Sequence, residues 1–127
     1  MSIEIKTTVQ RAPAKRLPFE KLKEEALGKR YELSLVICAD SLARSMNTKY
    51  RKKTYAANVL SFPYSKTEGE IFLNVRAAER EARRYGTTFE RRFALLFVHG
   101  LLHLKGLAHG RTMESRERQI LQAYNLA

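Results

Sequence analysis

Acidic residues are scarce in this sequence: 13 Asp and Glu stand against 24 Lys and Arg, a formal charge of +11 at pH 7. A surface so short of acid attracts phosphate backbones and releases their counterions. An anionic membrane would be attracted too, but neither end carries a basic amphipathic helix with bulky apolar anchors. Nucleic-acid contact is therefore the expectation, with charge kept merely for solubility as the plainer alternative. Cysteine is nearly absent: Cys38 stands alone, which excludes an internal disulfide. Long apolar runs are missing, and none approaches the roughly 18 residues that span a bilayer. The N-terminal Met1-Ser2-Ile3-Glu4-Ile5-Lys6 lacks the basic-then-apolar order of a signal peptide. Together these absences predict a cytoplasmic protein with no membrane association. Repeats and low-complexity tracts are absent as well. What remains is an ordinary globular composition of 127 residues, 44% hydrophobic. It fits a single domain with one core and no staples.

Proline occurs only at positions 13, 18 and 63, and it punctuates the chain. Ile3 to Val9 alternates apolar and polar residues, the pattern of a half-buried strand. Pro13 lies in the loop after it. Pro18 opens a helix with Phe19, Leu22, Ala26 and Leu27 on one face, which Gly28 ends. Leu33 to Ala39 is a nearly continuous apolar run, read as a central strand buried on both sides. Asp40 or Ser41 is expected to cap a helix carrying Leu42, Met46 and Tyr50, followed by a basic loop, Arg51-Lys52-Lys53-Thr54. Asn58 to Pro63 reads as a strand stopped by its proline. Glu70 to Asn74 follows as its antiparallel partner.

From Arg76 the period becomes helical, with Ala77, Ala78, Ala82 and Tyr85 on one face. After Gly86, Thr87 or Thr88 caps a helix that is apolar almost all round, from Phe93 to Leu104; such a helix belongs at the centre of a fold. Gly106 ends it. From Thr112 a last amphipathic helix places Met113, Ile120 and Leu121 inward. The class this predicts is α+β: one domain over 1–127, with a small mixed four-stranded sheet packed against the central apolar helix and several further helices. Cys38 is expected to be inert core.

Histidine is also rare, but all three lie within one stretch, His99-Gly100-Leu101-Leu102-His103-Leu104-Lys105-Gly106-Leu107-Ala108-His109. Four positions on a helix place His99 and His103 one turn apart on the same side. A left-handed Gly106 can turn the chain and swing His109 back toward them. Three imidazoles on one side of a tetrahedral ion leave a position for water, as in catalytic zinc sites. The expectation is one Zn²⁺ per chain, held by His99, His103 and His109 and lost as pH falls through about 6. Ordinary histidines on a buried helix are the bland alternative. The spacing matches the metzincin protease pattern except that Gly100 stands where the protease carries its glutamate base, which removes support for peptide hydrolysis. Glu114 and Glu117 follow the motif; partnership with the ligand histidines is one reading of them, and an exposed helix face is the expected one.

At this point the sequence resembles a known family, the YbeY endoribonucleases, which are bacterial ribosomal-RNA maturation factors. Their motif H-G-x-L-H-L-x-G-Y-D-H is matched at His99, Gly100, Leu102, His103, Leu104, Gly106 and His109. Tyr50 to Pro63 is similar to their Y-R-x-x-x-x-x-T-D-V-L-S-F-P, and Gly69-Glu70-Ile71 to their G-D-I. Leu107 and Ala108 replace the tyrosine and aspartate before the third histidine, and Asn58 replaces an aspartate upstream. The resemblance implies a metal-dependent, single-strand-specific endoribonuclease. It would act on a ribosomal RNA precursor or the small ribosomal subunit, in rRNA maturation and quality control. Arg51 matches the family's arginine, which implies a catalytic role in holding a phosphate; by residue type alone Arg51 is one surface charge in a basic run. Either a metal-bound water or an RNA 2′-hydroxyl would serve as nucleophile. The alternative is a non-catalytic, metal-containing RNA-binding factor in ribosome assembly.

Overall fold

Two adjacent strands sort the apolar residues of this chain onto the two faces of one sheet. The computed structural model describes residues 2–9 and 17–127; Pro13 lies outside the described residues. Strand β1 spans Ile3–Thr7, helix α1 Phe19–Leu27, strand β2 Glu32–Cys38 and helix α2 Asp40–Arg51. Strands β3 (Val59–Ser65) and β4 (Glu68–Asn74) form a hairpin, followed by helices α3 (Val75–Tyr85), α4 (Phe89–Lys105) and α5 (Arg111–Ala123). The sheet order is β1-β2-β4-β3, with β1 and β4 parallel to β2 and β3 antiparallel to β4. This is the mixed four-stranded α+β domain that the sequence pattern predicts.

Side chains alternate across a strand. Leu33, Leu35 and Ile37 of β2 and Ile71 and Leu73 of β4 therefore face one core, while Val36, Cys38 and Phe72 face the other. The first core is built around α4, which packs against α1, α3, α5, β3 and β4. Phe93, Phe97, Leu101 and Leu102 are fully buried there, and Phe19 meets the Phe97 ring edge-on at 5.0 Å. The second core lies under α2 and is completed by Ala43, Ala57 and Leu60. Burial raises the Cys38 thiol pKa to about 11, so it is inert core as expected.

Four local expectations change. The first strand is an edge strand and mostly exposed, with Ile5 46% accessible. Pro63 does not stop β3: the strand runs through it to Ser65, with a register shift between Pro63 and Ser65. As an edge strand, β3 has one side on which a missing N–H costs nothing. Neither Asp40 nor Ser41 caps α2; the cap position is Ala39, with no side-chain bond. The Asp40 carboxylate instead accepts two bonds from Arg80, both 2.8 Å, and one from Asn74 Nδ2 at 2.9 Å. Tyr85 is 58% exposed rather than on the inner face of α3; its ring carries the Arg92 guanidinium at 4.6 Å.

Candidate functional site

Helix α4 crosses the β3–β4 hairpin at Gly100, and that crossing determines where the histidines stand. The Gly100 carbonyl accepts a 2.9 Å bond from Ser61 Oγ. A Cβ at position 100 would lie 3.0 Å from Val59 Cγ2 and 3.2 Å from Ile71 Cδ1. A glutamate, as in the protease pattern, would crowd the sheet; glycine lets the helix lie against it. One residue before this contact, His99 is half-buried; one turn later, His103 emerges at the surface.

The two rings stand edge to face with centroids 4.6 Å apart, and their Nε2 atoms face each other at 3.0 Å. The other nitrogen of His99, Nδ1, lies 2.6 Å from Glu117 Oε2. Glu117 reaches it from α5 and is itself only 8% exposed, which corrects the expectation of an exposed helix face for this residue; Glu114 is exposed. The signal was present in the spacing: Met113, Glu117, Ile120 and Leu121 form one apolar stripe with Glu117 inside it. A carboxylate accepting from Nδ1 fixes the imidazole tautomer and leaves the Nε2 lone pair free to bind. Partial burial, and next the neighbouring His99 ring, lower the His103 pKa below the ordinary imidazole value.

The turn after α4 forms as the glycine predicts. Gly106 has φ 103°, its N–H donates to the His103 carbonyl at 2.9 Å, and the Leu107 N–H donates to that of Leu102 at 3.0 Å. This is the bond pair of a Schellman motif. His109 returns to the same side, exposed, with its ring centroid 5.7 Å from that of His99. Among the described residues, no set of three or more His, Cys, Asp or Glu side chains is arranged closely enough to hold a metal ion. The fold thus pairs His99 with His103 and leaves the His109 ring beside them.

His99 and His103 form one wall of a cleft of about 790 Å³. Arg51 lines it from the end of α2: its Nη2 donates to the Ser61 carbonyl at 2.7 Å and its guanidinium lies 5.3 Å over the Phe62 ring. Lys53, Arg80 and Arg84 add positive charge. Asn58 Nδ2 donates to Glu81 Oε2 at 3.0 Å, and Glu81 Oε1 pairs with Arg92 Nε at 2.7 Å. The amide at position 58 is thus a donor to a carboxylate; aspartate there would set two negative groups against each other. Sequence reasoning also missed Asn74. It is fully buried, caps α3 by accepting from the Arg76 and Ala77 N–H groups, and donates to Asp40 and to the Ala57 carbonyl. An Asn directly before a helical period is the signal that marks it.

Fold and site together define a small α+β protein with paired imidazoles at the wall of a cationic cleft, a form suited to a polyanionic ligand. The chain matches the family described as Endoribonuclease YbeY over residues 2–125, and it belongs to that family. It is 38% identical over 99 residues to an endoribonuclease YbeY of Aromatoleum aromaticum, covering 76% of this chain but 64% of that protein. To the endoribonuclease YbeY of Pelotomaculum thermopropionicum it is 34% identical over 123 residues, 84% of this chain and 81% of that one. A Thermotoga maritima protein solved in solution has the same fold, with a TM-score of 0.64 at 20% identity over 96% of this chain and 92% of that one. No helix among the described residues is long and apolar enough to cross a membrane.

Proposed function

We propose that this chain is a zinc-dependent, single-strand-specific endoribonuclease. It acts in the cytoplasm on a ribosomal RNA precursor or the small ribosomal subunit, in rRNA maturation and quality control. The observation that carries this reading is the 3.0 Å approach of His99 Nε2 to His103 Nε2, beside a cleft lined by Arg51, Lys53 and Arg84. Two imidazole nitrogens on one tetrahedral zinc, each at about 2.0–2.1 Å, stand roughly 3.3 Å apart, so the pair is already near ligand spacing. His109 completes the set when its exposed ring turns toward the pair. Zinc held there supplies a Lewis acid and a bound water with a pKa near 7.

The protein's own groups do the remaining work. Glu117 holds His99 in the tautomer that presents Nε2. Arg51, fixed by the Ser61 carbonyl and the Phe62 ring, has N–H groups left over to grip a scissile phosphate and stabilise the charge that builds on it. The surrounding cations collect the RNA backbone.

Turnover of a single-stranded RNA by wild type and Arg51→Ala, with and without chelator, tests this. Wild type should cleave, chelator should stop it and zinc restore it, and Arg51→Ala should lose about 10²–10³ in rate with its metal retained. A second reading, a non-catalytic RNA-binding assembly factor, draws on one observation: the exposed Ala108 leaves position 108, beside the third histidine, without a side chain that can move a proton. RNA binding with no metal-dependent turnover would select that reading.

A further inference from the structure

The loop from Lys52 to Ala57 has a rigid backbone and unpartnered side chains. Lys52 takes the left-handed conformation, with φ 56°, and turns the chain out of α2. Every second carbonyl after it is then tied down. The Lys53 carbonyl accepts from Thr48 Oγ1 at 2.8 Å, that of Tyr55 from Asn47 Nδ2 at 2.9 Å, and that of Ala57 from Asn74 Nδ2 at 3.1 Å. Asn47 is 2% exposed and Asn74 is fully buried, so two of these donors belong to the core. In contrast, Tyr55 is 59% exposed, and both it and Lys53 line the cleft. Among the described residues, the Tyr55 ring meets no other aromatic and its hydroxyl makes no hydrogen bond, while Lys53 and Arg84 make no ion pair. Tyr50, equally exposed, differs: it packs edge-on against Phe62 at 5.4 Å.

From this we infer that Tyr55 is a stacking platform for one unpaired base of the bound strand, with Lys53 and Arg84 holding the flanking phosphates. Proteins that grip single strands combine a cationic groove with exposed aromatic faces. A loop whose backbone is already fixed loses little further entropy when a base lands on it. The platform lies in the same cleft as His99 and His103, so it fixes the register of the strand relative to them. The inference rests on the reading of the ligand as RNA, but not on cleavage.

The test is equilibrium binding of fluorescent ten-nucleotide oligoadenylate and oligouridylate RNA, and of a duplex of the same length, to wild type, Tyr55→Ala and Tyr55→Phe. Tyr55→Ala should weaken oligoadenylate binding about 5- to 100-fold, with a smaller loss for oligouridylate and none for the duplex. Tyr55→Phe should bind within about twofold of wild type. Lys53→Ala and Arg84→Ala should each weaken binding and reduce its salt dependence by about one unit of slope. Equal binding by wild type and Tyr55→Ala, or equal loss in the alanine and phenylalanine variants, overturns the platform. The nuclease reading fails separately: a platform that behaves as stated in a protein that never cleaves RNA leaves this inference standing and removes that one. Absence of any single-strand binding by wild type removes both.

Discussion

Among the described residues, 22 buried residues from four helices, strands β2 and β4 and the segments carrying Leu17 and Tyr31 form a single core on one face of the sheet; on the other face, six residues at and beneath α2 form a second. The larger core holds α4 in place. The smaller one sets the height of β3, of the end of α2 that carries Arg51, and of the loop that carries Lys53 and Tyr55. His99 and His103 come from a helix of the first; of the cations lining the same cleft, Arg51 and Lys53 belong to α2 and the loop after it, and Arg80 and Arg84 to α3, which packs on the first core. The histidine pair is thus mounted on the most deeply packed element of the molecule, whereas Arg51, Lys53 and Tyr55 are mounted on a thin layer close to solvent. Stability and ligand binding are expected to separate along that division.

The largest effect should come from the deep side. Phe97→Ala removes a fully buried ring and should cost about 3–5 kcal/mol, whereas Leu60→Ala in the small core should cost about 2 kcal/mol because that layer can collapse toward solvent. Urea unfolding of the two variants measures the difference. Equal losses would show that the two cores are one energetic unit.

Next comes the link between α5 and the histidine pair. Glu117→Ala should leave the fold intact but weaken zinc binding by about 10- to 100-fold, since His99 loses the acceptor that orients it. Titration with a competing chelator reads this directly. Unchanged affinity would mean that the 2.6 Å contact is structural only.

The smallest effect belongs to the α2 side. Arg80 hydrogen-bonded to Asp40 lowers the carboxyl pKa to about 2. A depressed carboxylate pKa stabilises the fold above the unfolded value of about 3.9, and that stability is lost as pH falls toward 2. Both side chains are more than a third exposed, so solvent screening holds the contribution to about 1 kcal/mol or less. Asp40→Asn should remove this part of the acid transition, read by acid unfolding of the two proteins.

How much of this was legible in the sequence follows the same division. The deep core announced itself: α4 is apolar on all sides because it is surrounded, and β2 is apolar at successive positions because both its faces are covered. The period of α3 placed Ala77, Ala78 and Ala82 inward correctly. Tyr85 fell outside that rule because a ring at the end of a helix can cover itself with an arginine from the next one. The motif spacing placed His99 and His103 on one side of α4, and Gly106 turned the chain as a C-terminal glycine does. Buried polar groups were less legible. Glu117 and Asn74 are retained inside by partners distant in sequence and Asn47 by the Tyr55 carbonyl eight residues on, and residue type alone favours the surface for each of them. The cleft was legible only as an excess of charge. Which cations face it depends on how α2 and α3 flank β3, and no local pattern encodes that.

Metal content of the purified protein, measured per chain for wild type and His103→Ala, tests the central claim most directly. The account predicts about one zinc per wild-type chain and its loss in the variant, with the fold retained. Metal content unchanged by the substitution, or a wild type that takes up no zinc when it is supplied, would contradict it.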